Sequence, residues 1–308
     1  MDLSIITVSY NVSTLLSACL SSVYQTLAQT PLAAEVWVID NASRDDSAAM
    51  VRRDFPQAHL ITNQENKGFA AATNQGLRQS QGRYLLLLNP DTQVLGDALQ
   101  ALVVFMEGHP TAGAAGTRLL HSDGSFQHSA FHFPTLPQIF LDFFPLHHRL
   151  LDSPLNGRYS RRLYAAGDPF PIDHPLGAAM MVRRETMTQV GVLDERFFMY
   201  CEEIDWAMRI RRAGWEIFCV PQARIIHHVG RSTRQLRDQM FIALWRSRHL
   251  LFAKHYSPTF RRLARILVYL GLRWERTRLA RLGLSPAEME ARQRAFDTVW
   301  QIWAQEIR

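Results

Sequence analysis

In the first 120 residues, short runs rich in β-branched and apolar side chains alternate with segments of helical period, and this alternation leaves the chain few folds to choose from. Residues 3–8, 35–39, 59–62 and 83–88 read as strands, and residues 14–27, 47–55 and 70–79 as helices. Strands separated by helices pair in parallel and need cover on both faces, since each crossover helix packs back onto the sheet. The expectation is an α/β fold: a mostly parallel sheet flanked by helices. Ligands of such sheets bind outside the carboxyl ends of the strands, near the point where strand order reverses. The polar motifs fall at those ends: Ser9-Tyr10-Asn11 after the first strand, Asp40-Asn41-Ala42-Ser43 after the second, Asn89-Pro90-Asp91 after the fourth.

Residues 117–173, rich in Pro, His and Phe, break the alternation and read as a long irregular excursion with short helices, suited to a lid or an acceptor-binding region. Order returns with strands over 178–183 and 216–220 and a helix that begins near Glu202. From residue 236 the tail reads as helix, interrupted at Ser257-Pro258 and at Gly283-Leu284-Ser285-Pro286. The net charge of +6 is uneven: from Arg231 onward 16 Lys and Arg face 6 Asp and Glu, a net +10, leaving 18 basic against 22 acidic residues, a net −4, in the body. Basicity confined to the tail points to a local partner surface and away from nucleic acid, which needs basic and aromatic residues interleaved on one face. Tail arginines such as Arg262, Arg265 and Arg273 alternate with Leu263, Ile266, Leu270 and Leu282 at helical spacing, which fits an anionic membrane surface or an apolar face packed on the catalytic domain or on a second copy of the chain. Cys19, Cys201 and Cys219 have spacings of neither a zinc site nor a disulfide framework, the amino terminus lacks a signal-peptide pattern, and no run reaches the roughly 18 apolar residues of a spanning helix. The chain is therefore expected in the cytoplasm, with any membrane contact peripheral and on the inner face.

Several side chains have the chemistry of a site. Asp40 closes a strand before a turn, where its carboxylate can grip a nucleobase or ribose or can simply cap the next helix. Lys67 and Gly68 precede a helix, a neighbourhood that suits a diphosphate. Asp91 leaves a strand of four leucines, as a ligand to a hard divalent cation or as a turn former; one of His227 and His228 could complete that cation site. Glu202, Glu203 and Asp205 open a helix in which Asp205 and Arg209 are spaced to pair. The residues four before and four after Glu203 are Met199 and Ala207, neither basic, and like charges nearby predict a raised pKa that suits a general base. A solvated acidic helix start is the alternative.

Val8-Ser9-Tyr10-Asn11, Val38 to Ser43, Asn66-Lys67-Gly68-Phe69 with Asn74-Gln75-Gly76, Leu88 to Asp91, Gly177 to Met180, Asp194 to Phe198, Glu202 to Arg209, and His227 with Gly230 and Ser232 occur in an order and spacing that resemble the family 2 inverting glycosyltransferases. The likeness is greatest to the rhamnosyltransferase-like branch that builds bacterial cell-surface polysaccharides. It implies a GT-A catalytic domain over residues 1–232, with a nucleotide-binding half (1–116) and an acceptor and catalytic half (117–232), followed by a basic helical extension over 233–308. By the same resemblance Asp40 holds the base and ribose, Ser9, Asn11, Asn41, Lys67, Gly68 and Asn89 lie around the nucleotide, and Asp91 and His227 ligate Mg²⁺ or Mn²⁺. Asn89 stands where the family's metal motif has its first acid. Glu203, flanked by Glu202 and Asp205, matches the catalytic base. The implied partners are a nucleotide-sugar donor, such as dTDP-rhamnose or a UDP-sugar, and a glycan or lipid-linked acceptor; a nucleotide-sugar-binding protein without catalysis is the alternative.

Overall fold

The computed structural model describes residues 1–228, 237–279, 281 and 283–305; Gly230, Ser232 and Leu282, named above, lie outside them. In chain order the elements are β1 (Leu3–Ser9), α1 (Ser13–Leu27), β2 (Ala34–Asp40), α2 (Ser47–Asp54), β3 (His59–Thr62), α3 (Phe69–Gln79), β4 (Tyr84–Leu88), β5 (Thr92–Val94), α4 (Ala98–Gly108), β6 (Ala112–Leu120), β7 (Phe126–Gln127) and β8 (Ala130–Phe131). There follow α5 (Leu136–Phe143), α6 (His148–Leu151), α7 (Arg161–Ala166), β9 (Phe170–Pro171), β10 (His174–Pro175), β11 (Ala179–Arg183), α8 (Arg184–Val190), α9 (Glu202–Arg212), β12 (Glu216–His227), α10 (Arg237–His255), α11 (Pro258–Leu279) and α12 (Pro286–Ala304). They form two compact units. One comprises Met1–Phe131, Tyr159–Phe198 and the described residues from Glu202 to His228; the other comprises His132–Arg158, Met199–Cys201 and the described residues from Arg237 on.

The first unit is built on a mixed sheet of order β3-β2-β1-β4-β11-β6-β12-β5, with β7 on β6 and β9 on β12. Strands β1 to β4 are mutually parallel, joined by crossover helices α1, α2 and α3. The chain steps outward from β1 through β2 to β3 and returns on the other side of β1 as β4, so strand order reverses beside β1. Every residue of β1 and β4 is buried. That burial explains their unbroken apolar runs, because both faces of a parallel sheet are covered. β11 runs antiparallel between β4 and β6, and β12 is parallel to β6 and antiparallel to β5. The strand signal of β6, Ala-Gly-Ala-Ala-Gly, is weak because Ala and Gly have low β propensity. Packing decides it: a Cβ on Gly116 would sit 2.5 Å from Pro175 Cβ and one on Gly113 2.6 Å from Trp215 Cβ.

The second unit is helical. Reciprocal capping boxes start α5 (Thr135 with Gln138) and α12 (Ser285 with Glu288), each satisfying backbone donors that a helix start leaves open. Its centre is aromatic: Phe143 stacks on Trp245 at 4.7 Å, Trp245 meets Trp303 at 5.8 Å, and Trp303 Nε1 donates to the Trp245 carbonyl at 3.0 Å. Gly271 in α11 makes room for the Phe143 ring, three of whose atoms would lie 2.1–2.5 Å from an added Cβ. Alanine at 271 gains about 1 kcal/mol of helix propensity, but overpacking against a ring held by Trp245 costs about 1–3 kcal/mol. Gly271→Ala should therefore be net destabilising by up to about 2 kcal/mol, measurable as a lower urea midpoint; a variant more stable than the parent would show that Phe143 is free to move.

Candidate active site

Ser9 and Asp40 end β1 and β2 directly opposite each other in the parallel register, and both are buried. Asp40 Oδ2 accepts from the Ser43 amide at 3.2 Å. Asp40 Oδ1 and Ser9 Oγ are buried polar atoms without a hydrogen-bond partner among the described residues. Each orphaned buried oxygen costs on the order of 1–3 kcal/mol until something satisfies it, and a donor-bearing ligand at the strand ends would do so. Asn11 has φ 56°; its Oδ1 accepts from the Arg44 amide at 2.6 Å and its own amide donates to Ser43 Oγ at 3.0 Å, so it laces the turn after β1 to the turn after β2.

Asn41 is buried and all its amide capacity is used within the chain. Its Oδ1 accepts from Asn63 Nδ2 at 3.0 Å and from the Lys67 amide at 3.1 Å. Its Nδ2 donates to Asn66 Oδ1 at 2.9 Å and to the Gly68 carbonyl at 3.2 Å. Asn41 therefore shapes the segment before α3 and holds Lys67, whose side chain is exposed, at the sheet edge. Gly68 has φ +82°, and a Cβ there would meet the Phe198 carbonyl oxygen at 2.5 Å, so two independent constraints demand glycine.

At the end of β4 the half-buried Asn89 donates its amide to the Ala178 carbonyl at 2.9 Å. Two residues on, Asp91 is buried and its Oδ1 lies 3.5 Å from His227 Nε2, because β5 pairs with the end of β12. A carboxylate oxygen and an imidazole nitrogen that converge in this way fit a divalent cation whose other ligands are water and phosphate oxygens. No group of three or more His, Cys, Asp or Glu suited to a metal occurs among the described residues. Gln127 of β7 places its Nε2 3.1 Å from His227 Nδ1, while its Oε1 is buried without a partner. Rotating that amide by half a turn puts Oε1 on Nδ1–H and leaves the Nε2 lone pair facing Asp91, the tautomer a metal ligand needs. His228 turns away to Ser122 Oγ at 2.6 Å.

Helix α9 brings the acids. Tyr200 and Cys201, just before it, hold φ of 70° and 68°, left-handed conformations that cost a non-glycine residue on the order of 1–2 kcal/mol each. Strain of this kind clusters at functional turns. Glu203 is half-buried, its Cγ and Cδ 3.5 Å from the position of a Cβ on Gly177. Asp205 is fully buried, its Oδ2 bound by Arg209 Nε at 2.9 Å, while Arg209 also donates to the carbonyls of Val190 at 2.6 Å and Val192 at 2.8 Å. This is the helical pair its spacing anticipates, and it fastens α9 to the segment after α8. At Glu202, burial and then the adjacent Glu203 carboxylate hold the pKa well above the usual carboxylate range. The free thiols of Cys19 and Cys219 are pushed up to about 11 and about 12 by burial, which disqualifies them as nucleophiles at neutral pH.

The family model described as glycosyl transferase family 2 matches residues 4–187, the greater part of the chain. The chain belongs to glycosyl transferase family 2. Among the relatives of this glycosyltransferase, an N-acetylglucosaminyl-diphospho-decaprenol L-rhamnosyltransferase of Mycobacterium tuberculosis is 28% identical over 76% of this chain and 81% of its own length. Rhamnosyltransferase WbbL of Escherichia coli is 28% identical over 65% of this chain and 69% of its own. A mannosyltransferase of Pyrobaculum calidifontis, solved with GDP-Man and Mn²⁺, superposes with a TM-score of 0.58 over 98% of this chain and 84% of its own at 18% identity. The fold is of the GT-A type.

The glycosyltransferase thus gathers Ser9, Asn11, Asp40, Asn41, Lys67 and Gly68 around the ends of β1 and β2, and brings Asp91 to His227. Gln127 and Asn63 escape sequence reading. Gln127 lies in a two-residue strand within the segment read as irregular, and only the β6–β7 hairpin carries it to His227. The raised pKa of Glu202 has a consequence for stability. The folded state retains a proton that the unfolded chain releases above about pH 4.5, so this stabilisation is complete below that pH and is lost as pH rises through the folded value. Glu202→Gln should match the parent's melting temperature near pH 4 and exceed it by a few degrees at pH 8; a gap that does not change with pH would contradict the assignment.

Proposed function

We propose that this glycosyltransferase transfers a sugar from a nucleotide diphosphate donor, dTDP-rhamnose or a UDP-sugar, to a glycan or lipid-linked acceptor in cell-surface polysaccharide synthesis, with inversion at the anomeric carbon. The names of the relatives support the sugar and the acceptor class. The observation that carries the mechanism is the hydrogen bond from Asn89 to the Ala178 carbonyl, with Glu203 lying against the adjacent Gly177. It brings a carboxylate to the strand end from which Asn89 and Asp91 emerge, at the same end of the parallel strands as the orphaned oxygens of Ser9 and Asp40.

In this reading Asp40 and Ser9 bind the nucleoside, Asn11 and Asn41 hold the turns that frame it, and Lys67, Gly68 and Asn89 lie along the diphosphate. Glu203 takes the proton from the acceptor hydroxyl as that oxygen bonds to the anomeric carbon from the face opposite the leaving nucleoside diphosphate. The raised pKa of Glu202 favours its neutral form beside Glu203, and Asp205 positions the helix through Arg209. Asp91 and His227 would hold Mg²⁺ or Mn²⁺, which when bound offsets the charge on the diphosphate. Residues 1–232 would constitute the catalytic domain, its halves meeting near residue 116, and residues 233–308 a basic extension. We assign that extension to the inner face of the cell membrane. No helix among the described residues is long and apolar enough to cross a bilayer, yet α11 exposes Leu263, Ile266, Leu270 and Trp274 beside arginines, the composition of an interfacial helix.

Glu203→Gln should lower turnover about 100-fold or more, the scale of a positioned base, with donor affinity unchanged by calorimetry. Retention of activity in that variant, with its loss in Asp205→Asn, would move the base to Asp205. Gln127→Leu should weaken Mn²⁺ binding about 10-fold or more by paramagnetic resonance titration. The cation assignment fails if chelator-treated protein turns over donor as fast as metal-loaded protein.

A further inference from the structure

In the helical unit, Arg261, Arg262 and Arg265 of α11 and His249 of α10 line a cavity of about 170 Å³ whose walls include Phe252, Pro258 and Trp303. The acids among the described residues of this unit are engaged elsewhere. Asp238 pairs with Arg292, Glu275 with Arg278, Glu290 with Arg294, Asp297 with Arg276, Asp142 with Arg248 and Asp152 with Arg158. Glu288 caps α12 through Ser285. No described acidic side chain is left for the three arginines of the cavity, and Arg261 Nε is buried there without an acceptor. Burial, and then the charges of Arg261 and Arg265, holds the His249 pKa below its ordinary value, as expected of a cavity with positive potential.

Three arginines that no acid among the described residues neutralises line one cavity, and their planar forks suit phosphate oxygens. Arg262 is exposed and adjoins Leu263, which begins the stripe Leu263, Ile266, Leu270 and Trp274 at i, i+3, i+7 and i+11, each 45–53% exposed. On the opposite side of that stripe Leu267 helps line a wholly apolar cleft with Leu136, Phe140, Leu146, Leu150 and Leu155. Anion-binding arginines and an unpartnered apolar stripe on one helix match the two ends of a lipid whose head is a phosphate. We propose that the Arg261–Arg262–Arg265 cavity binds the phosphate head group of a membrane lipid, with the lipid chains against the α11 stripe. This rests on the membrane reading of the basic extension and is independent of the transfer chemistry.

The test is flotation of the full chain with phosphatidylcholine vesicles containing or lacking phosphatidic acid, with inorganic pyrophosphate as a soluble competitor. The parent should bind only the phosphatidic acid vesicles, and pyrophosphate should displace it. Arg261→Gln/Arg265→Gln should lower partitioning about 30-fold, and Arg262→Gln, at an exposed position that does not threaten folding, should lower it in the same direction. Arg276→Gln/Arg278→Gln removes the same charge outside the cavity and should lower it less than about 3-fold. Equal losses in the two double variants would overturn the cavity while leaving a general membrane attraction. Binding of pyrophosphate without binding of vesicles would assign the cavity to a soluble phosphate and overturn the lipid. Failure of every form to float would remove the membrane reading itself, with donor turnover as the separate gauge of the transfer reaction.

Discussion

Strand β11 enters the sheet antiparallel between β4 and β6, and the geometry of the site depends on that insertion. Its register sets Ala179 against Leu88 and Met180 against Gly116, so the backbone just before it, Gly177 and Ala178, lies at the carboxyl end of β4. There Ala178 receives the Asn89 amide and Gly177 faces Glu203. The same strand couples the all-parallel half to β6 and β12, and β12 delivers His227 to Asp91. A slip of one residue would reverse every side chain of β11 across the sheet, and buried Met180, Met181 and Val182 make such a slip prohibitive.

Around this frame, polar side chains divide between those that hold the backbone and those that retain capacity. Asn41, Asn11 and Asp205 hold it. Asn74 belongs with them: its amide bridges the Leu193 carbonyl and Glu195 at 2.9 Å each and accepts from the Leu193 amide at 3.1 Å, tying α3 to the segment that precedes α9. Ser9, Asp40 and Glu202 retain buried atoms with no partner among the described residues. In a folded protein most buried polar atoms are satisfied, so the oxygens of Ser9, Asp40 and Glu202 keep hydrogen-bonding capacity that the scaffold does not use.

Chemically similar residues next to each other come to differ through burial. Glu202 and Glu203 are adjacent and identical in sequence terms, yet the helix buries the first and leaves the second half-exposed. Burial, and then the neighbouring carboxylate, raise the pKa of the first. His227 and His228 separate in the same way, one turned to Asp91 and Gln127, the other to Ser122. Only the pleat of β12 and its pairing with β5 decide which histidine faces the acid.

The amino-acid sequence by itself determined the α/β class, the alternation over β1 to β4, the placement of Ser9, Asp40 and Asp91 at strand ends, and membership of the family, because apolar period and turn chemistry are local properties. It determined the helical tail and its breaks at Ser257-Pro258 and Ser285-Pro286 for the same reason. Tertiary structure alone decided that the alanine- and glycine-rich β6 is a strand, since close approach of Pro175 and Trp215 overrides propensity. It decided that residues 132–158 join the helical unit, where Phe143 finds Trp245 and the groove of Gly271. It also decided that Gln127, 100 residues from His227, orients it, and that Arg261, Arg262 and Arg265 line one cavity with no acid among the described residues of its wall. These depend on which distant groups share a neighbourhood, and local sequence pattern carries no record of that.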